Sequence, residues 1–312
     1  HQARARATPT WWIASYTALT RAAADPGPPP EAAADHHAGD DDPTPDSPPA
    51  APAGHAVGTP DPWHRWPRGA QAGVVLHALL QHCAEQRWAP AANDAATLQP
   101  IAQRLLAQHG WPADRQTIDA ADLAVWAVRI VQRPLPLPGA APVALAQLER
   151  AWPEVGFWLP IDATVPADTL DRRIAQHVLP GQPRPALSGP VLHGMLKGYI
   201  DLVFAHDGRY WVLDHKSNAL GDTDDAYHPA AVQAEVLRQR YDVQAVLYLL
   251  ALHRLLRQRL PGYNPARHLG GALCAFWRGV DHPSAGVWCA PTPVALLDEL
   301  DALLQAPAET TA

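Results

Sequence analysis

The sequence predicts an α/β fold, with strands paired in the middle, helices outside and a helical cap ahead of the sheet. Three observations carry that expectation. Two runs rich in β-branched and aromatic residues, Tyr199 to Phe204 and Arg209 to Leu213, flank Asp207-Gly208, a strong short-range signal for a β-hairpin. A long helical pattern, Ala231 to Gln258, follows the hairpin, and helical spacing dominates upstream of it from Gln71 to Val131.

Taken in order, Thr10 to Arg21 (TWWIASYTALTR) is too apolar for a solvated tether. Residues 22–64 are one: eleven prolines among alanines and glycines cannot bury a core. His36 and His37 within it read as surface residues rather than ligands. Gln71 to Trp88 carries Val74, Leu76, Leu79, Leu80 and Cys83 as a helical apolar stripe. Ile101 to Ala107 and Ile118 to Val131 read as two more helices, the latter with Asp119 and Asp122 near its positive end. Pro134, Pro136 and Pro138 then break the chain. Glu154 to Ile161 reads as a strand and Leu170 to Val178 as a short helix before the hairpin. Beyond the long helix come a strand within His268 to Val280, a short strand Gly286 to Cys289 and a closing helix Pro293 to Leu304. The expected organisation is a short apolar segment at 1–21, a tether at 22–64 and one domain at 65–312.

Composition limits the function. With 312 residues there is ample length for a buried core, and no run of 18 apolar residues suggests membrane insertion. Cys83, Cys274 and Cys289 are odd in number and widely spaced. That argues against a disulfide framework, a zinc ribbon or a four-cysteine iron–sulfur cluster, and for a reducing cytoplasm. The net charge of −7 argues against binding of nucleic acid until it is mapped. Eight acids and no Lys or Arg lie between Ala22 and His64, and without them the remainder is at about +1. The acidity belongs to the tether.

The hairpin carries the chemistry. With Asp207 and Gly208 as turn residues, partners have numbers that sum to 415, so Asp201 faces Asp214. Opposed residues have Cβ atoms about 4.5–5.5 Å apart, and like charges there destabilise unless a cation joins them. Lys216 shares their face by the period of two. Ile200, Leu202, Phe204, Trp211 and Leu213 make the other face apolar, while Tyr199, Val203 and Val212 surround the aspartates. A strand apolar on both sides is buried on both, where unpaired carboxylates are costly. A divalent metal site is expected; a solvated polar face is the alternative.

This D…DxK hairpin, followed by a helix with Gln244 and Tyr248, resembles the PD-(D/E)XK nuclease superfamily. The phrases HGMLKGYIDLVF, LDHKSN, YDVQAVLYLLALHR and GGALCAFWRGVD, in that order, are similar to the C-terminal nuclease domain of the RecB family of helicase–nuclease subunits. The likeness runs from about Pro67 to Leu304. It implies a restriction-endonuclease-like core, a central mixed sheet flanked by helices, with the helical cap in front. It also makes residues 1–21 the stub of a helicase region, and the chain, which opens on His1, a piece of a longer one.

The resemblance implies a metal-dependent exodeoxyribonuclease that hydrolyses single-stranded DNA delivered by a helicase during double-strand break repair and recombination. Asp201 and Asp214 would bind Mg²⁺, with Mn²⁺ as a substitute, together with the backbone carbonyl of His215; Lys216 would orient or deprotonate the attacking water. His77, among leucines, reads by itself as a core residue, but within PRGAQAGVVLHALL the resemblance makes it a metal ligand. Gln81 stands where the family has an acid, which weakens the expected metal site if that position contributes. Gln244, Tyr248 and Tyr241 are implied beside the active site, with plain helix packing as the alternative. Arg238, Arg240, Arg254 and Arg257 read as a solvated basic face, or as phosphate contacts. Implied partners are DNA, RecC-like and RecD-like subunits and RecA. The chain has no G-x-x-x-x-G-K-[ST], so ATP would bind only in the parent helicase region. Competing readings are a catalytically weak module that binds DNA or loads RecA, and a stand-alone endonuclease of the same superfamily.

Overall fold

The computed structural model describes residues 12–14, 61–88, 94–111, 119–187 and 191–305. The expectations for the tether, His36 and His37 among them, lie almost wholly outside the described residues. At its end the structure differs. Pro62–Arg65 form a 3₁₀ turn in which Trp63 is buried, so the packed body starts before residue 65.

Six strands form one mixed sheet: β1 (Trp12–Ala14), β4 (Arg150–Val165), β5 (Leu192–His206), β6 (Arg209–Lys216), β7 (Leu269–Phe276) and β8 (Val287–Pro291). Two short strands, β2 (Pro134–Leu135) and β3 (Val143–Ala144), pair apart from it. β4 lies at the edge beside β5, which suits its Pro153 and Pro160, since proline has no N–H to give a second neighbour. On the other side β5 pairs with β1 at Gly194–Leu196 and with β6 at Leu202–His206. Only the β1–β5 and β6–β7 pairings are parallel.

Helices cover both faces. On one, α4 (Ala167–His177), α5 (Pro229–Arg238), α6 (Tyr241–Arg259) and α8 (Val294–Gln305) pack on Ile200, Val203 and Val212. On the other, α1 (Ala70–Glu85), α2 (Ala95–Gln108) and α3 (Ala120–Gln132) pack on Leu202, Phe204, Trp211 and Leu213. The expected cap is therefore a full layer of an α/β/α sandwich. Along α1, Val75 rather than Val74 completes the buried stripe. Asp94 and Asp119 cap α2 and α3 by accepting hydrogen bonds from Ala96 N and Asp122 N.

The single long helix expected over 231–258 is two. Between α5 and α6, Arg240 adopts the left-handed region, with φ of 62°, where a non-glycine residue needs compensation. Its buried guanidinium finds it at Asp171 (2.6 Å), Asp242 (3.1 Å) and the Pro185 carbonyl. A connecting one-turn helix, α7 (Pro265–His268), precedes β7.

Candidate active site

The pairing Leu202↔Leu213 places Asp201 and Asp214 at facing positions where β5 and β6 part. On the other side of β5, the pairs Pro153↔Leu202 and Val155↔Ile200 set Glu154 opposite Asp201. Three carboxylates thus run across three strands, Glu154, Asp201 and Asp214. Sequence reasoning missed Glu154: its strand was expected, but not its register, which a long connection to β5 leaves open. Glu154 also adopts φ of 49°, a strained value for a side chain of its size.

Burial dominates the electrostatics. It raises the Asp201 carboxyl, against the lowering influence of His77 and Lys216. It lifts Asp214 to about 7, with Lys216 opposing and Asp201 adding to the rise. Glu154 is raised too, by burial, with His77 opposing and Glu85 adding. Gln81, the departure from the family pattern, bonds Glu85 at 3.0 Å, so the negative charge near this end comes one helical turn later.

Lys216 is buried at the centre. Its Nζ lies 2.8 Å from Asp214 Oδ2, donates to Gln244 Oε1 at 3.1 Å and sits 3.9 Å from the centroid of the Tyr241 ring. Gln244 in turn donates to Tyr248 OH at 2.8 Å, and Phe157 meets the Tyr248 ring edge-on. The Gln-x-x-x-Tyr pair therefore holds the lysine from α6. Of the four arginines considered as phosphate contacts, all are engaged with carboxylates: Arg238 with Glu235, Arg240 with Asp171 and Asp242, Arg254 and Arg257 with Asp301.

His77 reaches in from α1. One ring nitrogen, Nε2, lies 2.8 Å from the His215 carbonyl and the other, Nδ1, 3.7 Å from Asp201 Oδ2. Asp201 Oδ2 also accepts from His215 N at 2.7 Å. The imidazole of His215 points away, its Nδ1 accepting from Trp277 Nε1 at 3.0 Å. His77, Asp201 and the His215 carbonyl thus meet beside the Asp214–Lys216 pair. Two carboxylates, a carbonyl and one imidazole are a mainly hard donor set that could hold a divalent cation. The buried, destabilised carboxylates are what a divalent cation would relieve.

A sequence profile of the PD-(D/E)XK nuclease superfamily matches residues 55–278, which include the whole arrangement. The chain belongs to that superfamily. It is a nuclease, a hydrolase of phosphodiester bonds, with the PD-(D/E)XK fold. Among curated proteins it is similar to RecBCD enzyme subunit RecB of Escherichia coli K12, 42% identical over 185 residues, 57% of this chain and 15% of that one. RecB of Haemophilus influenzae Rd is 38% identical over 170 residues, 53% of this chain and 14% of the relative. RecB of Mycobacterium tuberculosis H37Rv is 44% identical over 123 residues, 36% and 11% respectively. The chain thus spans at most about a seventh of the relatives' length at these matches. Among the described residues no helix is long and apolar enough to cross a membrane.

Proposed function

We propose that this superfamily nuclease is the DNA-cutting module of a RecB-like subunit and cleaves single-stranded DNA with a divalent metal. The row of Glu154, Asp201 and Asp214, three carboxylates raised by burial around a single buried lysine, carries the reading. Asp201, Asp214, His77 and the carbonyl of His215 would hold Mg²⁺, with Mn²⁺ able to substitute. When bound, a divalent ion would supply an activated water and charge for the transition-state phosphate. Lys216, fixed by Asp214, Gln244 and Tyr241, presents positive charge to the phosphate and orients the water. Tyr248 acts through Gln244 as a positioning residue.

Single-stranded DNA is favoured by the surface of β4 and β5 beside the row. Trp158 (54% exposed), Tyr199 (39%) and Trp152 (37%) offer rings to stack bases, and Lys197 lies over both Trp158 and Tyr199. By the same reading the chain works in a RecBCD-type helicase–nuclease of the cytoplasm, with RecC-like and RecD-like subunits, in double-strand break repair and RecA loading. ATP then binds only in the parent helicase region, and residues 22–64 tether the nuclease to it, with Asp61–His64 already joined to the nuclease body. The test is incubation of the chain with single-stranded DNA and Mg²⁺ or Mn²⁺ beside Asp214→Ala. Metal-dependent cleavage by the wild type alone is expected; none by the wild type, or equal cleavage by the variant, overturns the reading.

A further inference from the structure

A second cluster of ligating side chains lies where the tether joins the body. Asp61 immediately precedes the 3₁₀ turn that contains His64, and its carbonyl accepts from His64 N at 3.1 Å, which holds the two residues close together. Asp224 approaches from the loop that follows the catalytic hairpin. One ligand atom from each of Asp61, His64 and Asp224 lies within 4.8 Å of the others, the only such group of three His, Cys, Asp or Glu among the described residues.

Buried polar atoms there lack hydrogen bonds. The His64 side chain is 1% exposed, and neither ring nitrogen makes a hydrogen bond. Its Nε2 is aimed at Asp224 Oδ2, 3.5 Å away, while Asp224 Oδ1 is also buried without a hydrogen bond. Among the described residues, three of the eleven buried side-chain atoms in that condition are these. Leaving such atoms unpaired is costly, and an ion is one standard way to satisfy them. With bonds of about 2.0–2.2 Å, ligands around tetrahedral Zn²⁺ stand about 3.3 Å apart, close to the His64–Asp224 separation. Asp61 is exposed, which leaves a route from solvent.

The surrounding charge favours a cation. Burial raises the Asp281 carboxyl, and Asp224 and Asp61 add to the rise, so a third acid stands near. Arg129 pairs with Asp281 at 3.1 Å, and the buried Arg278 is committed to the carbonyls of Trp63, Trp66, Pro67 and Ser217. Arg68 is directed to Asp222 at 3.9 Å.

We propose that Asp61, His64 and Asp224 form a second divalent-cation site, selective for Zn²⁺ over Mg²⁺, that clamps the end of the tether to the loop behind the catalytic hairpin. One imidazole and two carboxylates suit Zn²⁺ and leave a position for water. The clamp connects to the nuclease site. Tyr227, packed 5.8 Å from the His64 ring, accepts from Leu220 N and donates to the Asn218 carbonyl, and the Asn218 amide donates to Tyr241 OH beside Lys216.

The test uses the 312-residue chain with Asp201→Asn and Asp214→Asn, so that the hairpin cannot compete for metal. Co²⁺ is titrated by its visible absorption, and Zn²⁺ and Mg²⁺ by calorimetry. One equivalent of Zn²⁺ should bind at least tenfold more tightly than Mg²⁺ and raise the melting temperature. Adding His64→Gln or Asp224→Asn should weaken Zn²⁺ at least tenfold. Absence of binding, or binding indifferent to both substitutions, as by other histidines such as His36 and His37, overturns the proposal. Should His64→Gln fail to fold, Asp224→Asn and the exposed Asp61→Asn decide it by the same criterion.

Discussion

Asp214→Asn, studied in EDTA, separates the cost of the buried carboxylates from their use. Burial, only partly offset by Lys216 at 2.8 Å, lifts this carboxyl from 3.8 to about 7. A rise of that size sets roughly 4 kcal/mol against the ionised side chain once the pH exceeds 7. The folded chain binds the proton more tightly than the unfolded one. Its stabilising contribution is therefore complete below about pH 4, declines as the pH climbs to about 7 and is gone above. Asparagine cannot ionise, so the variant lacks this slope and relieves Asp201 of a like charge. Urea denaturation at pH 8 should find Asp214→Asn more stable than the wild type by about 2–4 kcal/mol, with the gap closing towards pH 5. Saturating Mg²⁺ should reverse the order by stabilising only the wild type appreciably. Parallel pH dependences for the two chains in EDTA would refute the reasoning.

Three further outcomes follow from named contacts. Lys216→Ala should lower single-strand cleavage by about 10²-fold or more while metal-induced thermal stabilisation persists; a loss under about tenfold would exclude the catalytic role. Trp158→Ala should weaken single-stranded DNA binding by about 1–3 kcal/mol, roughly 5- to 150-fold, without altering the unfolding midpoint, because the ring is 54% exposed. Unchanged affinity in a fluorescence titration would remove the stacking surface. Arg278→Met strands four carbonyls that the buried guanidinium now serves and should cost at least about 3 kcal/mol. A shift below about 1 kcal/mol in urea would mean that those carbonyls find other donors.

Much of the site was legible because its rules are local. The Asp207-Gly208 turn and the period of two were enough to set Asp201 against Asp214 and put Lys216 beside them, and the hairpin register, from His206↔Arg209 to Leu202↔Leu213, follows the same count. The spacing of Gln244 and Tyr248 placed them on one helix face, and the structure joins them by a hydrogen bond. Asp119, expected within the first turn near the positive end of its helix, lies one residue before the helix and caps it by accepting from Asp122 N.

Tertiary structure decided what depends on partners far along the chain. The break at Arg240 has no local signal, since Asp171, Asp242 and the Pro185 carbonyl hold the strained backbone. Glu154 joins the carboxylate row only through the β4–β5 register, and no turn of fixed geometry links those strands. The approach of His77 to Asp201, and of His64 to Asp224, required whole layers to be packed on the sheet. Sequence by itself determined the hairpin, the reactive residue types and the apolar faces except at Ile200, which packs with Val203 and Val212 rather than with Leu202, because backbone periodicity fixes them within a few residues. Which distant groups share one buried space was set by packing, where burial makes their charges costly and their compensation specific.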